Sequence, residues 1–139
     1  MLSTEDLKKY VYKEIESRIG VTSCDDVFFC EGTDDSIEGT YIFSKDNEYH
    51  IMFIEKGKIR NDIITKEERE VLWNAVNIFS INIVMAFAMK NRKKNRDFRR
   101  ALFEKEKQIF ALFGDDFLQR KTIEIEEILI RNPFNDDIQ

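Results

Sequence analysis

Thr40-Tyr41-Ile42-Phe43, then Lys45-Asp46-Asn47, then Glu48 through Glu55, then Lys56-Gly57, then Lys58 through Ile64: this stretch, opening at Gly39, decides the fold class. Asn, Asp and Gly tolerate the backbone of a tight turn, so β-rich runs punctuated by them read as antiparallel hairpins. A meander of three strands follows. Val27 to Cys30 offers a short fourth strand ahead of the turn chemistry in Gly32-Thr33-Asp34-Asp35-Ser36. Three or four strands bury too little apolar surface alone, and helices must cover one face.

The flanks supply those helices. Ser3 and Thr4 precede Glu5 and Asp6, a capping oxygen followed by acids at the positive end of a helix dipole. Leu7, Tyr10, Val11, Ile15 and Ile19 then recur at helical spacing until Gly20, which predicts a helix over residues 4–19. After the meander, Thr65-Lys66-Glu67-Glu68 fits a capping box, with a helix running to about Lys90. Asn95 is the expected cap of a further helix that Gly114 stops, and Asp115 or Asp116 that of a last one closed by Asn132-Pro133. The expected fold is α+β: an N-terminal helix, a three- to four-stranded antiparallel meander, then three C-terminal helices packed on the sheet. With no repeat or linker, residues 1–139 read as one domain.

Composition narrows the function. Five Gly and one Pro exclude collagen-like and low-complexity sequence. A net charge of −5 argues against a general nucleic-acid binder. Met1 to Gly20 is charged throughout and lacks the apolar core of a signal peptide, so a cytoplasmic protein is expected. Cys24 and Cys30 are too few for a disulfide framework, and their spacing, with His50 as the only histidine, is not that of a zinc knuckle. No nucleophile elbow, P-loop or dinucleotide fingerprint occurs. No catalytic residue, metal or cofactor is expected.

Three stretches stand out. Val71 to Met89 is apolar apart from Asn74, Asn77, Ser80 and Asn82; those amides disfavour a membrane span and fit a buried helix with Trp73 as a core anchor. Lys90, Arg92, Lys93, Lys94, Arg96, Arg99 and Arg100 follow, with only Asp97 opposing. They read as a helix C-terminus and a solvated loop; the alternative is a nucleic-acid-binding module using the cluster 90–100, although no aromatic residue interleaves it before Phe98. The third is acidic: between Ile19 and Ser44 there is no Lys or Arg, while Asp25, Asp26, Glu31, Asp34, Asp35 and Glu38 supply six carboxylates. Their pattern is not that of a calcium loop. It suits a docking surface for a basic partner, with Tyr41 and Tyr49 as aromatic anchors at the sheet edge.

Asp97-Phe98-Arg99-Arg100-Ala101-Leu102-Phe103-Glu104-Lys105, Glu124-Ile125-Glu126-Glu127-Ile128-Leu129 and Asn132-Pro133-Phe134-Asn135-Asp136, with Trp73 and the Tyr49-His50 strand, carry a resemblance. From the meander onward the chain resembles the immunity protein 63 family of bacterial polymorphic toxin systems. That resemblance implies a non-enzymatic cytosolic protein that binds one toxin domain and blocks its active site or substrate access. It assigns no contact residues.

Overall fold

The computed structural model describes residues 1–33 and 37–137. Among the described residues nine elements follow one another: α1 (Thr4–Ile19), β1 (Val27–Phe28), β2 (Gly39–Lys45), β3 (Glu48–Glu55), β4 (Lys58–Thr65), α2 (Glu68–Phe79), α3 (Ile81–Lys90), α4 (Arg99–Ala111) and α5 (Asp115–Arg131). They divide into two compact units, Met1–Phe79 and Ser80–Gln139.

In the first unit, α1 forms where the sequence places it. Ser3 Oγ accepts the Asp6 N–H at 3.1 Å, and Gly20, at φ 71°, closes the helix by donating to the Glu16 carbonyl at 3.0 Å. Leu7, Val11 and Ile15 have no exposed surface. The sheet order is β1-β2-β3-β4. Turn residues at positive φ, Asp46 and Asn47 and then Lys56 and Gly57, close the two hairpins. By register Ile42, Tyr49, Ile51 and Ile63 share one face of the sheet. Here α1 packs on β2, and α2 packs on β3 and β4. The opposite face carries a smaller cluster of Tyr41, Phe43 and Ile54, against which Phe28 and Met52 pack.

Two expectations about this unit need correction. The sheet is mixed, because β1 pairs with β2 in parallel, Val27 opposite Thr40 and Phe28 opposite Tyr41. A tight turn would have made that pair antiparallel; instead ten residues separate the end of β1 at Phe28 from the start of β2 at Gly39. The capping box at Thr65 is also displaced: Thr65 is still paired with Tyr49 in the sheet, and its hydroxyl accepts the Glu67 N–H at 3.2 Å rather than that of Glu68. Helix α2 therefore starts at Glu68.

The expected continuous helix to Lys90 is interrupted at Ser80, whose φ −88° and ψ −9° flatten the helical turn between α2 and α3. Four helices, not three, thus follow the sheet. Asn74 and Asn77 are accommodated as expected of amides in a buried helix: each side chain donates to the carbonyl four residues earlier, Glu70 and Trp73, at 2.9 Å. Trp73 is 4% exposed.

The second unit holds α3, α4 and α5, with α4 packed on both others. Phe103, Ile109, Phe110, Phe113, Phe117 and Ile125 form its interior. Lys121 is buried with them, its ammonium 3.1 Å from Glu124 Oε1, 3.6 Å from Glu106 Oε2 and 4.5 Å from the centre of the Phe110 ring. Among the described residues no single helix is long and apolar enough to cross a membrane.

Candidate functional site

The acidic stretch enters the sheet at its β1 edge. Asp25, Asp26, Glu31 and Glu38 are exposed, while Asp34 and Asp35 lie outside the described residues. Asp26 sits at φ 62°, and its carbonyl accepts the Thr40 N–H at 2.8 Å. Glu38 Oε1 accepts the Lys56 N–H at 2.7 Å, which ties the start of β2 to the β3–β4 turn. Together with Glu55 and Arg60, Asp26 and Glu38 line a shallow depression of about 320 Å³ whose wall includes Phe53 and Ile54. Glu31 stands apart from it, at the other end of β2, where it pairs with Lys45 at 2.6 Å and raises the pKa of that ammonium. The fold thus gathers Asp26 and Glu38 and separates them from Glu31.

The two tyrosines are not at the sheet edge, and that placement is corrected. β2 and β3 are the interior strands. Tyr49 has no exposed surface; its hydroxyl accepts the Leu2 N–H at 2.8 Å, and burial raises the phenol above its ordinary pKa. Tyr41 is 5% exposed, and its hydroxyl donates to the Ile37 carbonyl at 2.6 Å. Both rings anchor the unit itself: Tyr49 holds the chain entering α1, and Tyr41 holds the segment leading into β2. Alternation along β2 and β3 puts them on opposite faces, and aromatic content alone did not reveal that both faces are covered.

His50 lies on β3, stacked on Phe43 with ring centres 4.8 Å apart and planes 3° apart. Its Nδ1 is 3.2 Å from both Asp62 carboxylate oxygens and its Nε2 4.0 Å from Glu48. A ring clamped between an aromatic face and carboxylates has no nucleophile in these contacts to activate. Cys24 and Cys30 are free thiols, and burial pushes the Cys24 thiol up, away from reactivity.

In the second unit the basic cluster is partly consumed by an internal knot. Asp97, 5% exposed, is the true cap of α4 in place of Asn95: its Oδ1 accepts the Arg99 N–H at 2.9 Å. The Arg99 guanidinium grips the same carboxylate at 2.9 Å and donates to the carbonyls of Asn132 and Pro133, also at 2.9 Å. Asn135 N–H closes the ring on Asp97 Oδ2 at 2.8 Å. Beside it, Asp136 accepts from Arg100 at 2.8 and 2.9 Å, from Arg96 at 3.3 Å and from the Asp97 N–H at 2.8 Å. Arg99 holds the Asp97 carboxyl, and Arg100 that of Asp136, well below the usual carboxylate range. Asn95 instead sits at φ 64°. The signal for this knot was present in sequence, as one acid inside a run of bases and one Asp-rich segment after the last helix.

Asp97, Arg99, Arg100, Asn135 and Asp136, among the residues that carried the resemblance, thus form this knot, while Trp73 and the Tyr49-His50 strand lie in the first unit. The family described as Immunity protein 63 matches residues 45–127, from the β2–β3 turn into α5. The acidic stretch precedes the match, and Asn132 to Asp136 follow it. No curated protein and no solved structure matches the chain. A match over more than half of the length, across both units, places this chain in the immunity protein 63 family.

Proposed function

We propose that this chain is a non-catalytic immunity protein acting in the cytoplasm, where it binds a cognate toxin domain and neutralises it. The family match over residues 45–127 carries this reading. The contact surface we assign is the acidic one, Asp25, Asp26, Glu31 and Glu38, continued by Asp34 and Asp35. Charge segregation supports it: residues 1–79 hold 17 Asp and Glu against 10 Lys and Arg, a balance of −7, while residues 80–139 hold 10 against 12. An acidic face mimics the phosphates that a basic, nuclease-like toxin site attracts, and steering by such a face accelerates encounter. Of the described ones, Asp26 is tied to the sheet by its carbonyl's bond to the Thr40 N–H and Glu38 by its bond to the Lys56 N–H, and loops held by a rigid scaffold are the usual place for a binding function.

The test is co-purification of the tagged protein with its toxin domain, followed by association kinetics against salt. Asp25→Asn with Asp26→Asn should slow association roughly tenfold at low salt and flatten its salt dependence, leaving folding intact. Unchanged kinetics would remove this surface from the interface. Failure of any toxin domain to bind would remove the function.

A further inference from the structure

A second feature of the helical unit has no part in that reading. Between the C-terminal end of α3 and the first turns of α4 lies a cavity of about 380 Å³. Its size is within the range of small-molecule sites, roughly 300–1,000 Å³. Four of its lining residues are cations: Arg92, Lys93, Arg96 and Arg100. Two of them are held in place, since Arg96 and Arg100 converge on Asp136 at 3.3 and 2.8 Å. The other two are unspent: among the described residues neither Arg92 nor Lys93 has a side-chain hydrogen bond or ion pair, and the same is true of the flanking Lys90 and Lys94. The acids that line the cavity are Asp97, committed to Arg99 at 2.9 Å, and Glu104, which has no cation partner among the described residues. Within the lining, two unpaired bases, Arg92 and Lys93, face one unpaired acid, Glu104, and Lys90 and Lys94 flank them, a local excess of positive charge in a protein of net charge −5.

At the C-terminal end of α3 the Phe87 carbonyl accepts both the backbone N–H and the side-chain amide of Asn91, each at 2.9 Å, and is satisfied within the protein. Apart from Asn91 the remaining wall is apolar. Phe87, Phe98 and Ala101 line it, and Lys105 covers the Phe87 ring from a distance of 5.0 Å to its centre.

From this arrangement we infer that the cavity is a binding site for a small phosphate monoester carried on a flat, apolar body. A dianion matches the excess of cations, and guanidinium forks favour phosphate oxygens through paired charge-assisted hydrogen bonds. The body lies against Phe87 and Phe98, which supply a stacking surface. Arg92 and Lys93 make the new contacts, while Asp136 keeps the Arg96 and Arg100 guanidinium groups oriented.

Adenosine 5′-monophosphate is the test ligand and inorganic phosphate its control, with binding read by titration calorimetry and by thermal shift on the full chain. AMP should bind saturably and roughly tenfold more tightly than inorganic phosphate. Arg92→Ala with Lys93→Ala should weaken it at least about tenfold, and Glu104→Gln should strengthen it by removing the one opposing charge. All three residues are exposed, so circular dichroism should show the variants folded. Absence of saturable binding by the native chain, equal affinity for AMP and inorganic phosphate, or a double variant that binds like the native chain would each overturn the assignment.

Discussion

Removing the Asp97 carboxylate leaves two backbone N–H groups, those of Arg99 and Asn135, without their acceptor, and a guanidinium without its counter-ion. Breaking a buried pair from one side typically costs 3–5 kcal/mol, and the 22% exposure of Arg99 places Asp97→Ala near the lower end, at about 3 kcal/mol. Urea denaturation checks this; a loss below about 1 kcal/mol would show that the knot contributes little. The pH dependence has a definite sign. Asp97 is depressed in the folded state, so the stability it contributes is complete above the unfolded value near pH 4 and is lost as pH falls toward the folded one. Asp97→Ala should therefore flatten the acid limb of the stability profile. Lys121 presents the opposite case. Burial already raises the Glu106 carboxyl, and Lys121→Met removes the cation that offsets it. Folding then favours the protonated acid, so this variant should lose about 2 kcal/mol at neutral pH and recover as pH falls toward about 4, below which folded and unfolded states both hold the protonated acid. Adding Glu106→Gln should restore most of the loss at neutral pH.

Gly39 shows how one backbone position governs an element. A Cβ there would lie 2.4 Å from the Asp26 carbonyl oxygen and 2.9 Å from the Phe28 ring, and the backbone is at φ 153°. β1 reaches β2 only because that space is empty. Gly39→Ala should cost about 2 kcal/mol and detach Val27–Phe28, seen as fast hydrogen exchange at the Thr40 amide, whose acceptor is Asp26. Slow exchange at Thr40 in the variant would contradict this. Such close approach is invisible in one-dimensional pattern, which is why the parallel pairing was not foreseen while the hairpins were: their turn residues act locally, within a few positions. Helix α1 was equally readable because cap, acidic first turn, apolar stripe and terminal Gly all agree. The break at Ser80 was not, since periodicity runs on through it; Ser80 is where α3 begins, its carbonyl accepting the Val84 N–H at 3.0 Å as the first hydrogen bond of that helix. Elements set by tertiary partners resist fuller reading for the same reason: Asp97 stands out as one acid among bases and Lys121 follows Arg120, yet spacing alone does not show which partner element closes on either.

At the scale of the whole chain, the acidic stretch was legible as charge and opaque as geometry, because sequence spacing does not tell that Asp26 and Glu38 meet while Glu31 is at the far end of β2. Size makes a further demand. Residues 80–139 form a unit of 60 residues without a disulfide, and chains of about that length bury only about 60% of their surface on folding, which leaves them marginally stable alone. A single domain over residues 1–139, as its sequence reads, should therefore unfold in one transition. Trp73 is the only tryptophan and is buried in α2, so its fluorescence follows the sheet unit. Far-ultraviolet circular dichroism follows helices in both units, α3, α4 and α5 among them. In urea the two signals should share one midpoint and one slope, the behaviour of a cooperative two-state protein. Loss of helical signal at lower urea than the Trp73 transition would instead show that the helical unit, with its Asp97 knot and cationic cavity, melts while the acidic face on the sheet remains folded, and the two surfaces would then have to be assigned to separate domains.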